Sequence, residues 1–205
     1  IYAFEDANSK NRMQLGGKGA GLSEMTKLKL PVSSGFTITT EVCNKYYENK
    51  KHLPKNLMSE VTKNISKIEK KTGKKWNSNE DPLLVSVRSG AAISMPGMMD
   101  TILNLGLNDQ TVLGLAKKTN NSRFAWDSYR RFIQLFGKVV FNINDENFDK
   151  VLNSAKTKQG VINDSMLSVD SLKKIVSDYK KICEKHTNRN FPSNPNEQLQ
   201  LAIES

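Results

Sequence analysis

The chain has 205 residues and a mass of 23.0 kDa, enough for one domain, or one domain with a subdomain, and for a core that needs no covalent staple. Hydrophobic residues make up 37% and charged residues 25%, which excludes a disordered chain, and no apolar run approaches the roughly 18 residues of a membrane span. The net charge is +10, and most of the excess sits in residues 45–75, where ten lysines face three glutamates.

Residues 1–4 (IYAF) read as a short strand. The stretch 16–21 (GGKGAG) reads as a glycine-rich turn that runs into a short amphipathic helix with Leu22, Met25 and Leu28 on one face. Pro31 opens a loop, and Phe36-Thr37-Ile38-Thr39 reads as a strand. Thr40 is the expected N-cap of a helix through Tyr47, with Glu41 in its first turn. Residues 55–71 form a lysine-faced helix that ends near Gly73, with Leu57, Val61, Ile65 and Ile68 at helical spacing on the opposite face. Residues 83–87 read as a second apolar strand, 88–101 as a loop and 102–105 as a short strand. From about residue 108 the pattern turns helical, over 110–118, 123–141, 145–157, 168–186 and 195–204. Leu172, Ile175, Val176, Tyr179 and Ile182 form the expected buried stripe of the fourth of these. The fold class expected is α+β, with a mixed part over 1–107 plus 194–205 and a helical subdomain over 108–193.

The basic stretch allows two readings, a polyanion-binding face or a solvated helix face. The helical spacing of its apolar residues and the absence of arginine among its cations favour the second. The N-terminal IYAFEDANSK has neither the basic nor the apolar region of a signal peptide. The two cysteines, Cys43 and Cys183, suggest neither a disulfide framework nor a metal site and fit a reducing cytoplasm. The abrupt start, and an end inside a helix without a capping signal, suggest a piece of a longer polypeptide.

Three segments could carry chemistry. In GGKGAG, glycines let a ligand approach the backbone and Lys18 adds a charge suited to phosphate; the alternative is a tight turn with an exposed lysine. It is not a P-loop, because Arg12 stands where that motif needs its first glycine and Gly19 where it needs Ser or Thr. In VSVRSG, Arg88 ends a strand read as buried, so its charge must be paired or face a ligand. The following AAISMPGMMDT could cover a nucleotide, or its methionines could fill a core, and Asp100 could bind a metal or cap a turn. In DSYRRF, Asp127 and Arg131 are spaced for an i,i+4 pair, and Arg130 and Arg131 point to different sides of the helix, so at most one faces a given cleft. His52 and His186 have no Cys or paired carboxylate nearby in sequence, so neither a catalytic triad nor a zinc site is expected.

The segments LGGKGAGLSEM (15–25), PVSSGFTITTEVCNKYY (31–47), DPLLVSVRSGAAISMPGMMDTILNLGLND (81–109) and RFAWDSYRRFIQLFG (123–137) resemble the N-terminal nucleotide-binding region of the pyruvate, phosphate dikinase family. The likeness covers nearly the whole chain and is loosest in the lysine-rich helix and over 140–200. It implies an ATP-grasp-like fold with a helical insert, within a modular phosphotransferase. That enzyme converts ATP, phosphate and pyruvate to AMP, pyrophosphate and phosphoenolpyruvate through a phosphohistidine on another domain.

By position, the resemblance implies that Lys18, Arg88 and Arg131 contact phosphate, with Arg88 catalytic. It makes the loop holding Ser89, Gly97 and Thr101 a phosphate cover. It implies Mg²⁺ with ATP, the metal ligands lying beyond residue 205, so the isolated segment is expected to be catalytically silent and to bind ATP weakly. Expected partners are ATP, phosphate and the phosphohistidine domain of the same polypeptide, in a homo-oligomeric parent enzyme without nucleic acid or membrane. Two other readings remain. Phosphoenolpyruvate synthases carry a similar GGKG turn and a VRSS-type strand end but a different following loop, and a basic binding module would rest on residues 45–75 alone.

Overall fold

The computed structural model describes residues 1–90 and 101–205. The segment 91–100, with Met95, Gly97, Met98, Met99 and Asp100, lies outside the described residues. The fold is α+β, and the chain forms two compact units, one built on Ile1–Lys74 and one on Lys75–Val87 and Thr101–Ile203.

In the first unit, β1 (Tyr2–Ala3) pairs antiparallel with β2 (Phe36–Thr37), in the register Tyr2–Thr37 and Ala3–Phe36. The glycine stretch is not a turn. It lies inside α1 (Arg12–Lys27), broken only at Gly16, whose φ of 70° and ψ of 166° are outside the helical region. That left-handed φ is one glycine adopts without steric penalty. The buried face of α1 is Leu15, Gly16, Gly19, Ala20 and Ser23, not the expected Leu22, Met25 and Leu28; Met25 is 37% and Leu28 66% exposed. The helix presses its small residues inward, and a Cβ on Gly19 would lie 2.8 Å from the Thr37 side chain. Ser23 Oγ donates to the carbonyls of Phe4 (2.8 Å) and Ala7 (3.0 Å), which ties the helix to the N-terminal segment.

Helix α2 (Thr40–Glu48) starts one residue earlier than a Thr40 cap would place it: Thr39 is the N-cap residue. Thr40 Oγ1 instead donates to the carbonyl of Met13 at 2.7 Å. Helix α3 (Leu57–Thr72) buries Leu57, Val61, Ile65 and Ile68, and Gly73 ends it in the left-handed conformation. Its apolar stripe supplies half of the unit's buried apolar residues, and its lysines face away, with Lys71 paired to Glu5.

Strand β3 (Val85–Arg88), which belongs to the second unit as far as Val87, pairs with β4 (Thr101–Leu105). Five α-helices follow: α4 (Thr111–Thr119), α5 (Ser122–Val139), α6 (Asp145–Gln159), α7 (Val169–Thr187) and α8 (Pro195–Glu204). Their alternation with polar turns matches the pattern read from residue 108 onward. Helix α5 is central and packs against β4, α4, α6 and α7. Phe132 and Phe136 meet Phe191 edge-on, and Phe148 meets Tyr179 at 4.8 Å between ring centres. The buried stripe of α7 is Leu172, Ile175, Val176, Tyr179 and Cys183, with Cys183 in place of the expected Ile182.

Side chains distant in sequence fix the turn after β4. Gln198 on α8 is fully buried. Its Oε1 accepts from the Gly106 amide at 3.0 Å, and its Nε2 donates to the carbonyls of Leu107 (3.0 Å) and Pro192 (2.9 Å). Asn108 Oδ1 accepts from the amides of Gln110 and Thr111, which starts α4.

Cys43 is exposed and Cys183 buried. Burial pushes the Cys183 thiol up to about 12, and only a thiolate reacts readily with alkylating reagents. One label per chain is expected in the native protein at pH 8 and two in denaturant, counted by mass spectrometry. Two rapid native labels would show that Cys183 is not sequestered.

Candidate functional site

Gly16 interrupts α1, so the helix restarts at Gly17. The first amides of a helical segment lack intrahelical acceptors, and the dipole there favours an anion. Lys18 stands in this first turn, half-buried, between Gly17 and Gly19.

Arg88 is the last residue of β3 and is exposed, as part of an alternation in which Val85 and Val87 are half-buried and Ser86 faces solvent. This corrects the reading of a charge at the end of a buried strand. Arg88 has no burial penalty to offset, and among the described residues its guanidinium makes no hydrogen bond or ion pair. Ser89 follows it on the exposed side. Thr101 is the first residue of β4, half-buried, and Gly97 falls outside the described residues. Lys18 belongs to the first compact unit, and Thr101 and Arg131 to the second.

The arginine pair on α5 divides sharply. Arg130 is only 2% exposed and donates to Asp127 Oδ1 through Nε (2.9 Å) and Nη2 (2.7 Å). Arg131 is exposed and donates through Nε to Asp127 Oδ2 at 3.1 Å. The spacing correctly gave the Asp127–Arg131 pair, but Asp127 reaches i+3 as well as i+4. Sequence alone could not tell which arginine turns inward.

Burial by itself would lower the Arg130 pKa; the Asp127 carboxylate more than offsets this and holds it above the usual guanidinium value. Burial also pushes the Tyr179 hydroxyl up to about 12, with the Arg130 charge acting in the opposite direction. That hydroxyl feels Arg130 but makes no hydrogen bond of acceptable geometry among the described residues.

No three His, Cys, Asp or Glu side chains gather into a metal-ligating group among the described residues. The described residues thus offer no ready-made cage for Mg²⁺, and the cations singled out by the sequence are Lys18, Arg88 and Arg131. No helix among the described residues is long and apolar enough to cross a membrane.

The family model described as "Pyruvate phosphate dikinase, AMP/ATP-binding domain" matches residues 12–59 and 49–131. The chain belongs to this family. The pyruvate, phosphate dikinase of Entamoeba histolytica is 55% identical over 203 residues, covering 99% of this chain and 23% of that protein. The enzyme of that name from Giardia intestinalis is 52% identical over 97% of the chain and 22% of its own length. The chloroplastic pyruvate, phosphate dikinase 1 of Arabidopsis thaliana is 48% identical over 98% and 21%. The chain thus spans about a quarter of the length of the curated relatives it matches. The family match takes in Lys18, Arg88, Ser89, Thr101 and Arg131, so the residues singled out by charge and position all fall within the AMP/ATP-binding domain.

Proposed function

We propose that this chain is the ATP-binding part of a pyruvate, phosphate dikinase, contributing cations that hold the phosphoryl groups during transfer. The observation that carries the reading is Arg88, a partnerless exposed arginine among the described residues, within the matched span of an AMP/ATP-binding domain. Fixed cations stabilise charge spread over transferring phosphoryl oxygens, and a guanidinium does so with two parallel donors. Lys18 supplies a second charge from the restarted helix, Arg131 a third, and Ser89, Gly97 and Thr101 the contacts of the covering loop. In this reading residues 1–107 with 194–205 form the ATP-grasp-like part, and 108–193 its helical subdomain. Mg²⁺ accompanies ATP, held by residues outside this chain, and the parent enzyme is a cytoplasmic homo-oligomer.

The parent reaction balances as ATP, phosphate and pyruvate giving AMP, pyrophosphate and phosphoenolpyruvate. The β-phosphoryl group passes to a histidine of another domain, and the γ-phosphoryl group to inorganic phosphate. With the full-length enzyme, AMP formation is expected to require inorganic phosphate, and labelled phosphate is expected to appear in pyrophosphate. AMP formation at an unchanged rate without phosphate would mean that water is the acceptor, and the dikinase reading would give way to a synthase.

A further inference from the structure

One carboxylate on α5 serves two arginines. Asp127 Oδ1 takes both donors of the buried Arg130, and Oδ2 takes Nε of the exposed Arg131. Both oxygens are occupied, so Asp127 is not placed to accept a proton from a substrate.

Asp127 is not free to follow Arg131, because its other side is anchored. Arg130 Nη2 also meets Asp164 Oδ2 at 3.4 Å, and Asp164 Oδ1 pairs with Lys156 of α6 at 3.2 Å. Arg123 holds the same segment, donating to the carbonyls of Ser165 (2.7 Å) and Asp164 (3.2 Å). Two carboxylates thus face the three cations Arg130, Arg131 and Lys156, leaving one positive charge uncompensated. The free donors are on Arg131, whose side chain is 59% exposed and whose two Nη groups make no hydrogen bond among the described residues.

An exposed arginine normally surrenders rotamer freedom when it grips an anion. One held at Nε by an anchored carboxylate has surrendered it beforehand, and its Nη pair remains as a fork for phosphoryl oxygens. We propose that Asp127, locked by Arg130, is a positioning residue that pre-orients Arg131 toward a phosphoryl oxygen. The proposal rests on the reading of Arg131 as a phosphate contact.

The test uses the full-length enzyme, with single-turnover transfer from ATP, separate KM values for ATP and inorganic phosphate, and melting temperature. In Asp127→Asn the amide oxygen stays with buried Arg130, and the NH₂ group meets Arg131 Nε, donor against donor. The rate constant over KM for the phosphate-bearing substrate is expected to fall roughly tenfold. No further fall is expected when Asp127→Asn is added to Arg131→Ala, while the melting temperature drops equally in both backgrounds. Arg131→Lys, a surface change that keeps the charge but removes the Nε tether, is expected to lose a similar factor and to be insensitive to Asp127→Asn. A KM rise for ATP alone, or for phosphate alone, supports the proposal and says which phosphoryl group Arg131 meets.

If Arg131→Ala slows transfer and Asp127→Asn multiplies that loss, or lowers only the melting temperature, the positioning role is overturned and the phosphate contact stands. If Arg131→Ala leaves the rate and both KM values unchanged, the phosphate contact fails and the tether falls with it.

Discussion

Replacing Arg88 by alanine in the full-length enzyme is expected to slow single-turnover phosphoryl transfer from ATP by ~100-fold or more, about 3 kcal/mol of transition-state stabilisation. The melting temperature should not move. Arg88 is exposed at the end of β3 and its side chain makes no bond among the described residues, so none of the described fold rests on that side chain. A loss of rate at unchanged melting temperature would therefore be a loss at the bound nucleotide. Arg88→Lys should recover part of the rate, because it restores a point charge without the two-pronged geometry. A single-turnover rate unchanged in Arg88→Ala would remove this residue from the site.

The largest stability effect is expected at Arg130. Removing one member of a buried ion pair strands the other, typically at ~3–5 kcal/mol. Asp127 and Asp164 keep Arg131 and Lys156, and their side chains are 14% and 31% exposed, so water relieves part of the penalty. Arg130→Met should therefore sit at the low end, ~3 kcal/mol, read as a shift in urea midpoint at unchanged slope. The double change Arg130→Met with Asp127→Leu should cost less than the single one, because it removes the carboxylate that Arg130 bonds most closely, while Asp164 keeps Lys156. A loss below ~1 kcal/mol for Arg130→Met, the range of a surface pair, would show that the cluster is solvated.

Much of the helical architecture was legible because it follows from spacing. Leu57, Val61, Ile65 and Ile68 recur at i, i+4 and i+3, and the structure buries all four. The α7 stripe was legible to within one residue: the inward position near its end falls to Cys183, one step along from Ile182. Helix α1 was misread for a physical reason. Apolar periodicity points to the large residues, but close approach to Thr37 selects Gly19, Ala20 and Ser23 for the inner face and leaves Leu28 outside. Thr40 looked like a cap because its hydroxyl suits one; a carbonyl 27 positions upstream took that hydroxyl instead. Of the candidate site, the residue types and the Asp127–Arg131 spacing were legible. The exposure of Arg88 was not, because a four-residue strand with Val85 and Val87 reads the same whether one face or both are covered. Nor was the inward turn of Arg130, which brings it to Asp164, 34 residues away.

The clasp formed by Gln198 has a consequence for the order in which the chain matures. Gly106 and Gln198 are separated by 92 positions. During synthesis the amide of Gly106 and the carbonyl of Leu107 emerge long before this partner, and until α8 leaves the ribosome water must serve them. The strand that begins at Thr101 is thus finished by a side chain made 92 positions after the amide it holds.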